Sequence, residues 1–421
     1  MYLADSRSTK AAATPDTRPG RRPAAVPSTV LALGTVSLIT DISSEMITAI
    51  LPLYVVAGLG LSPLGFGLLD GINNGVGALV RLAGGHLADR GDRRHKAVAG
   101  LGYGLSAVCK PLLLFAHTLP ALGAVLAVDR SGKGLRTAPR DAMISLATEP
   151  KERGRAFGVH RAMDTTGALL GPLVAFAVLR ATVDGYDAVF AVSGCVAVLG
   201  VLVLILFVPR HLPAATAHPP EPARPMLRDA LGLLRRPQLR RLTACATLLG
   251  LTTVSDSFLY LLLQREGDLP AHLFPLLPLG TAAVFLLLAI PLGAVADRFS
   301  RRRLFLAGHG VLLLSYGLVL SDWHGLPAVA AVLILHGTFY AATDGVLAAA
   351  TASAVPAHHQ GAGQALVGTG QALARFACSL AFGAAWSLWG AHTALSVTAG
   401  ALAGSAVVAW FVLRIPDEVP A

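Results

Sequence analysis

The sequence predicts an all-α membrane protein of about twelve transmembrane helices, arranged as two pseudo-symmetric six-helix bundles. Three observations carry that prediction. The first is composition: of 421 residues 54% are apolar and only 14% charged, with a mean hydropathy of +0.62, whereas a soluble domain carries about a quarter charged residues. The second is the recurrence along the whole chain of apolar runs of about 20 residues, each long enough to cross about 30 Å of hydrocarbon, separated by short polar or Gly/Pro-rich turns. The third is where the 34 Lys and Arg residues fall: 24 lie in the tail, alternate loops, central linker and C-terminus, eight within spans, and only two, Arg180 and Arg265, on the opposite side. That asymmetry predicts an inner (plasma) membrane protein with both termini cytoplasmic. It also removes the net charge of +10 as an argument for nucleic acid, because the bases follow the membrane topology.

Residues 1–28 are polar and rich in Pro, Ala and Arg, without an apolar core and cleavage signal, and are expected to form a disordered cytoplasmic tail. Spans are expected near 29–58, 64–87, 97–117, 119–141, 154–180, 187–208, 241–263, 272–295, 304–321, 326–348, 362–389 and 392–413. These define an N-terminal bundle (29–208), a C-terminal bundle (241–414) and a short cytoplasmic tail (415–421). The linker between them, 209–240, is Pro-rich up to Pro225; it then alternates Leu227, Leu231 and Leu234 with Arg228, Arg235 and Arg236, as an interfacial amphipathic helix does. The halves repeat each other. Gly85-His86-Leu87-Ala88-Asp89-Arg90 returns as Gly293-Ala294-Val295-Ala296-Asp297-Arg298, an offset of 208, and Leu119-Pro120-Ala121 as Leu326-Pro327-Ala328, an offset of 207. Cys109, Cys195, Cys245 and Cys378 each stand alone inside an apolar run and read as small buried hydrophobes; neither a metal nor a cofactor is expected.

The polar residues inside the spans are the informative ones. Asp41 and Glu45 lie one turn apart in the first span, and two such carboxylates in a low dielectric disfavour double ionisation, which makes a proton site feasible. In the fourth span Asp129, Lys133, Arg136 and Arg140 fall within an arc of about 60°. A charge at the bilayer centre costs at least about 2.5 kcal/mol, so this stripe lines a watery cavity or meets acids across it. In the tenth span His336, Gly337, Tyr340 and Thr343 align with Asp129, Arg130, Lys133 and Arg136, so these charges are no requirement of a shared fold. One expectation is therefore that Arg136 meets a carboxylate-bearing solute. Against a strongly cationic cavity, however, eight embedded bases (Arg81, Lys110, Arg130, Lys133, Arg136, Arg140, Arg161 and Arg375) are matched by eight embedded acids (Asp41, Glu45, Asp70, Asp129, Asp141, Asp164, Asp344 and, in the seventh span, Asp256). In the fifth span Gly167, Gly171 and Pro172 suit close helix approach and a bend, while His160 and Asp164, one turn apart, form either a satisfied pair or a proton relay.

Gly85 to Lys96 (G-H-L-A-D-R-G-D-R-R-H-K) resembles the loop signature G-x-L-A-D-R-x-G-R-[RK] of the major facilitator superfamily, here present twice with Asp92 and Ser300 in place of the second glycine. Arg130 and Gly134 resemble the R-x-x-x-G signature of that superfamily's fourth helix. Gly158 to Pro172 resembles its antiporter signature G-x8-G-x3-G-P-x2-G, with Ala175 at the last position. The phrases at Thr40–Met46, Asp129–Ala142 and Gly154–Asp164 are similar to a prokaryotic subgroup of unassigned substrate. The resemblance, from residue 29 to 414, implies a proton-coupled transporter rather than an enzyme. Within it Asp41, Glu45, Arg130, His160 and Asp164 are expected to handle the proton, and Lys133, Arg136, Arg161, Asp256, His336 and Tyr340 a small organic solute. Asp89, Arg90, Asp297 and Arg298, with Gly167, Gly171 and Pro172, are expected to gate. Efflux by a monomer, driven by the proton gradient, is the favoured reading. Uptake by symport, a transport-dead sensor or assembly subunit, and a membrane enzyme are the alternatives; no nucleotide-binding P-loop, metal-ligand cluster or nucleophile elbow is present in the sequence.

Overall fold

The computed structural model describes residues 26–88, 95–149, 152–183, 185–209, 232–298, 300–356 and 360–414. Among these residues the chain is helical throughout, without a strand: α1 (Ser28–Leu53), α2 (Pro63–Ala88), α3 (His95–Leu112), α4 (Leu119–Leu146), α5 (Arg153–Ala181), α6 (Gly185–Phe207), α7 (Pro237–Thr252), α8 (Asp256–Glu266), α9 (Leu276–Arg298), α10 (Arg301–Val319), α11 (Leu326–Ser353), α12 (Gln360–Trp389) and α13 (Ala391–Arg414). Nine described segments are long and apolar enough to cross a membrane. The helix α4, with six charged residues between Asp129 and Asp141, is not among them. The tails, Asp89, Arg90 and residues 210–231 lie outside the described residues, so the expected amphipathic helix is represented only by its end, a turn at Leu233–Arg235 in which Leu233 is buried.

Local sequence sets the helix ends. Both α4 and α11 open with Leu-Pro after an extended residue or a glycine, proline at the start costing no backbone hydrogen bond. At the other end of α12, Gly390 adopts φ 84°, a left-handed conformation that lets the chain turn directly into α13.

The structure departs from the sequence reading at the seventh span, which is not continuous but breaks at Thr253–Ser255 into α7 and α8. Three β-branched residues, Thr252, Thr253 and Val254, precede a Ser-Asp pair suited to start a helix, and Ser255 is extended (φ −60°, ψ 141°). The backbone groups freed by the break are caught by side chains from elsewhere: Val254 N–H donates to the Tyr316 hydroxyl (2.9 Å) and the Cys378 thiol donates to Thr253 O (3.2 Å). Backbone at membrane depth tolerates such a break only where protein satisfies it. A second correction concerns the cysteines: three are buried, but Cys195 is exposed on α6, whose apolar residues run all round and leave no single inner face.

Helix packing follows one pattern twice. The helix α1 packs on α5 and α6, α4 on α2 and α3, and α3 on α6; correspondingly α7 packs on α12 and α13, α11 on α9 and α10, and α10 on α13. The two sets meet where α2 lies along α12 and α5 touches α9. Lipid offers no hydrophobic drive for helices to associate, so close approach over small residues must supply the contact. It does so here: a Cβ on Gly67 would strike Ser379 O, and one on Gly71 would lie 2.8 Å from the Phe376 ring. Leu64 N–H donates to Ser387 Oγ (3.1 Å), and Phe258 makes edge contacts with Phe66 and Phe382, each at 4.9 Å. Leu64 and Gly67 lie at the start of α2 and Ser387 near the end of α12, so this seam includes the helix ends remote from the chain termini.

Candidate functional site

Glycines bring α3 and α4 together, since a Cβ on Gly102 would lie 2.7 Å from Gly132 O and one on Gly132 2.9 Å from Ser106 Oγ. That approach sets Lys110 against Asp129, with Nζ 2.9 Å from Oδ1 and side chains 2% and 5% exposed. The stripe on α4 meets acids from three other directions. Lys133 Nζ lies 3.8 Å from Asp41 Oδ1 and 3.6 Å from Glu45 Oε1; Arg136 Nη2 lies 3.5 Å from Asp41 Oδ1, with its guanidinium stacked 4.4 Å over Tyr103; Arg140 Nη1 lies 3.6 Å from Asp164 Oδ1 and its Nε 3.1 Å from Asp141 Oδ1. Packing of α5 on α1 completes the group, because Cβ atoms on Gly167 and Gly171 would strike Leu38 and Glu45 of α1. The Asp41 and Asp164 carboxyls reach hydrogen-bonding distance of each other. Arg130 donates from Nη2 to Thr48 Oγ1 (3.2 Å) and lies 4.0 Å from Asp129, while its buried Nε has no hydrogen-bond partner among the described residues.

A second cluster forms in the other half. The break before α8 makes Asp256 its first residue, where the positive end of the helix dipole favours a carboxylate. Its Oδ1 accepts from the Tyr340 hydroxyl (2.6 Å) and pairs with His336 Nε2 (3.0 Å). His336, Tyr340 and Asp344 succeed one another at one-turn spacing on α11, so all three face the same way. Asp70 of α2 accepts a hydrogen bond from Ser379 Oγ of α12 (2.6 Å). These groups border a cavity of about 350 Å³ whose wall includes Glu45, Asp70, Pro172, Asp256, Tyr340 and Asp344.

The structure thus gathers Asp41, Glu45, Lys133, Arg136 and Asp164 into one network and Asp256, His336 and Tyr340 into another, with Glu45 shared by the network and the cavity wall. It does not join His160 to Asp164: His160 Nε2 bonds Ser37 Oγ at 3.0 Å. Arg161 is exposed on α5, away from the cavity wall, and Arg136 is buried behind it. Arg298 is exposed at the end of α9; of Asp297 only the helical backbone is described. Sequence reasoning counted Asp70, Asp344, Lys110 and Arg375 among embedded charges without assigning them a part. The H-x3-Y-x3-D spacing at 336, 340 and 344 is the signal that points to Asp344. Among the described residues no group of three His, Cys, Asp or Glu side chains is placed to hold a metal.

The fold has solved counterparts. A nucleoside transporter, NupG, superposes with a TM-score of 0.77 at 13% identity over 92% of this chain and 100% of its own. A bacterial homologue of the human lysosomal transporter Spinster, inward-facing and occupied, gives 0.74 at 15% identity over 93% and 98%. In sequence, an uncharacterised MFS-type transporter of Methanocaldococcus jannaschii is 29% identical over 324 residues, 74% of this chain and 77% of that protein. The family model of the Major Facilitator Superfamily matches residues 33–282 and 257–421. Nearly the whole chain is covered, and the chain belongs to the Major Facilitator Superfamily, a family of membrane transporters and not of enzymes.

Proposed function

We propose that the chain is a proton-coupled exporter of a small organic solute, working by rocking of two six-helix bundles, 29–208 and 241–414, about the central cavity. The twice-used packing pattern and the repeat at offsets of 207 and 208 support two related bundles. Basic loops put the termini in the cytoplasm of the inner membrane. With α2 and α12 joined at the end remote from the termini, the described state is then closed outward and open inward. Asp89 and Arg90, with Asp297 and Arg298, fall on the inner side by the distribution of basic residues, and there they lock the opposite state; Gly167 and Gly171 form the tight seam between α1 and α5, and Pro172 borders the cavity.

The observation that carries proton coupling is Asp41, whose carboxyl meets Asp164 on one side and Lys133 and Arg136 on the other. Two carboxyls at hydrogen-bonding distance hold a proton between them. A proton on Asp41 removes the negative charge that separates two bases, leaving Lys133 only Glu45, which forms the cavity wall. Proton occupancy is thereby transmitted from a buried pair to the solute site over one turn of α1. Arg130 holds Thr48 on the next turn, and His160 orders Ser37 on the turn before. On this reading Lys133 and Arg136 serve Asp41 and Glu45, while Asp256, His336 and Tyr340 meet solute.

In proteoliposomes with an imposed pH gradient, Asp41→Asn is expected to lose gradient-driven accumulation while keeping downhill exchange. Accumulation equal to the parent's would show that Asp41 carries no coupled proton, and a proton moving with the solute instead of against it would make the chain an uptake symporter.

A further inference from the structure

The cavity wall carries four carboxylates, Glu45, Asp70, Asp256 and Asp344, and among the described residues no Lys or Arg lines it. Bases stand close behind it, but too few. Glu45 has Lys133, which is shared with Asp41. Asp256 has the His336 imidazole (3.0 Å), and the Arg375 guanidinium shares a neighbouring small cavity with Asp344. Among the described residues the hydrogen bond to the Asp70 carboxyl comes from a hydroxyl, that of Ser379. Negative charge left over at membrane depth is costly unless a cation meets it.

Two further groups on the same wall point to a hydrogen-bond donor as the missing partner. Thr281 is 5% exposed and its hydroxyl has no hydrogen-bond partner among the described residues; Asn73 Oδ1, an acceptor, is likewise buried and without one. The wall also carries hydroxyls and the amides of Asn73 and Asn74, which donate as well as accept, but its four carboxylates tip the balance to acceptors, and an ammonium is a group of donors only. Around these acceptors stand Tyr260, Phe274, Phe285 and Tyr340, whose ring faces attract a cation and whose bodies suit an apolar skeleton. A cavity of about 350 Å³ lies at the small end of the range for organic ligands.

We infer that the solute is an organic cation, a protonated amine on an aryl or alkyl skeleton, held with its ammonium between Asp256, Asp344 and Asp70. The inference rests on the transport reading for the identity of the cavity, and it reverses the charge that the bases of α4 suggest in the sequence. Those bases are already met by Asp41, Glu45, Asp129 and Asp164.

The test is equilibrium binding to the full chain in nanodiscs, using matched triads of one skeleton: phenethylamine, 2-phenylethanol and 3-phenylpropionate, then the corresponding cyclohexyl and indolyl triads. Ammonium members are expected to bind and the carboxylates not to. Asp256→Asn and Asp344→Asn are each expected to weaken ammonium binding by about tenfold or more, while unfolding at the parental temperature. The inference is overturned if no ammonium member binds, if a carboxylate binds as well as its amine, or if neither Asn variant weakens binding. Ammonium binding without flux in proteoliposomes sinks the transport reading and upholds the cationic site; flux of the carboxylates does the reverse.

Discussion

Lys110 and Asp129 offer the sharpest test of how the α4 charges are accommodated. Both side chains are almost fully buried and their charged atoms are 2.9 Å apart. At an effective dielectric of about 20 that separation corresponds to about 6 kcal/mol of attraction, set against the cost of desolvating both ions. Asp129→Asn removes the attraction and leaves the ammonium buried near Arg130 and Arg136, so the expected loss is about 3 to 5 kcal/mol, the range for breaking a buried pair from one side. Replacing both partners with apolar groups, Lys110→Met with Asp129→Leu, removes the stranded charge as well and is expected to recover most of that loss. Equilibrium unfolding of the parent, Asp129→Asn and the double variant in mixed detergent micelles, followed by circular dichroism, measures both differences. An Asp129→Asn protein within about 1 kcal/mol of the parent, or a double variant no more stable than the single, would refute the reasoning.

Two other outcomes are expected. A cysteine pair at Leu64 and Ser387, whose backbone and hydroxyl are 3.1 Å apart, is expected to cross-link readily in the parent and poorly with Gly67→Val, because a side chain at Gly67 meets the α12 backbone at Ser379; equal cross-linking would remove that seam as the outer closure. A cysteine at Pro220 is expected to escape an impermeant maleimide in intact cells and to react in inverted vesicles, and labelling in intact cells would reverse the topology.

The span positions were legible because twenty-residue apolar runs leave few alternatives. The charged stripe of α4 was legible as a stripe, since it needs only 100° per residue. Its partners were not, because pairing Lys133 with α1 and Lys110 with Asp129 depends on which helices the glycines at 102, 132, 167 and 171 allow to touch, and a single sequence records the glycine without its neighbour. The expectation that Arg136 faces solute failed to find support for the same reason: the stripe has two edges, and Arg136 lies on the one covered by Tyr103 and Asp41. Asp70 was counted but given no part, since its hydrogen-bond partner Ser379 is 309 positions away. The broken seventh span carried a local signal in Thr-Thr-Val-Ser-Asp, which hydropathy averaged over twenty residues conceals.

That break bears on the order in which the protein is assembled. At a rise of about 1.5 Å per residue, α7 with 16 residues and α8 with 11 measure about 24 Å and 16 Å, so neither alone crosses about 30 Å of hydrocarbon. The ribosome delivers both before it has made Tyr316 of α10 or Cys378 of α12, the two side chains that satisfy the gap. Until then an exposed Val254 N–H and Thr253 carbonyl in lipid would be costly, and an unbroken helix is the cheaper form. On these costs the seventh span is expected to enter the membrane whole and to open at residue 253 once α10 and α12 are in place, with the N-terminus of α8, and Asp256 upon it, among the last features to form.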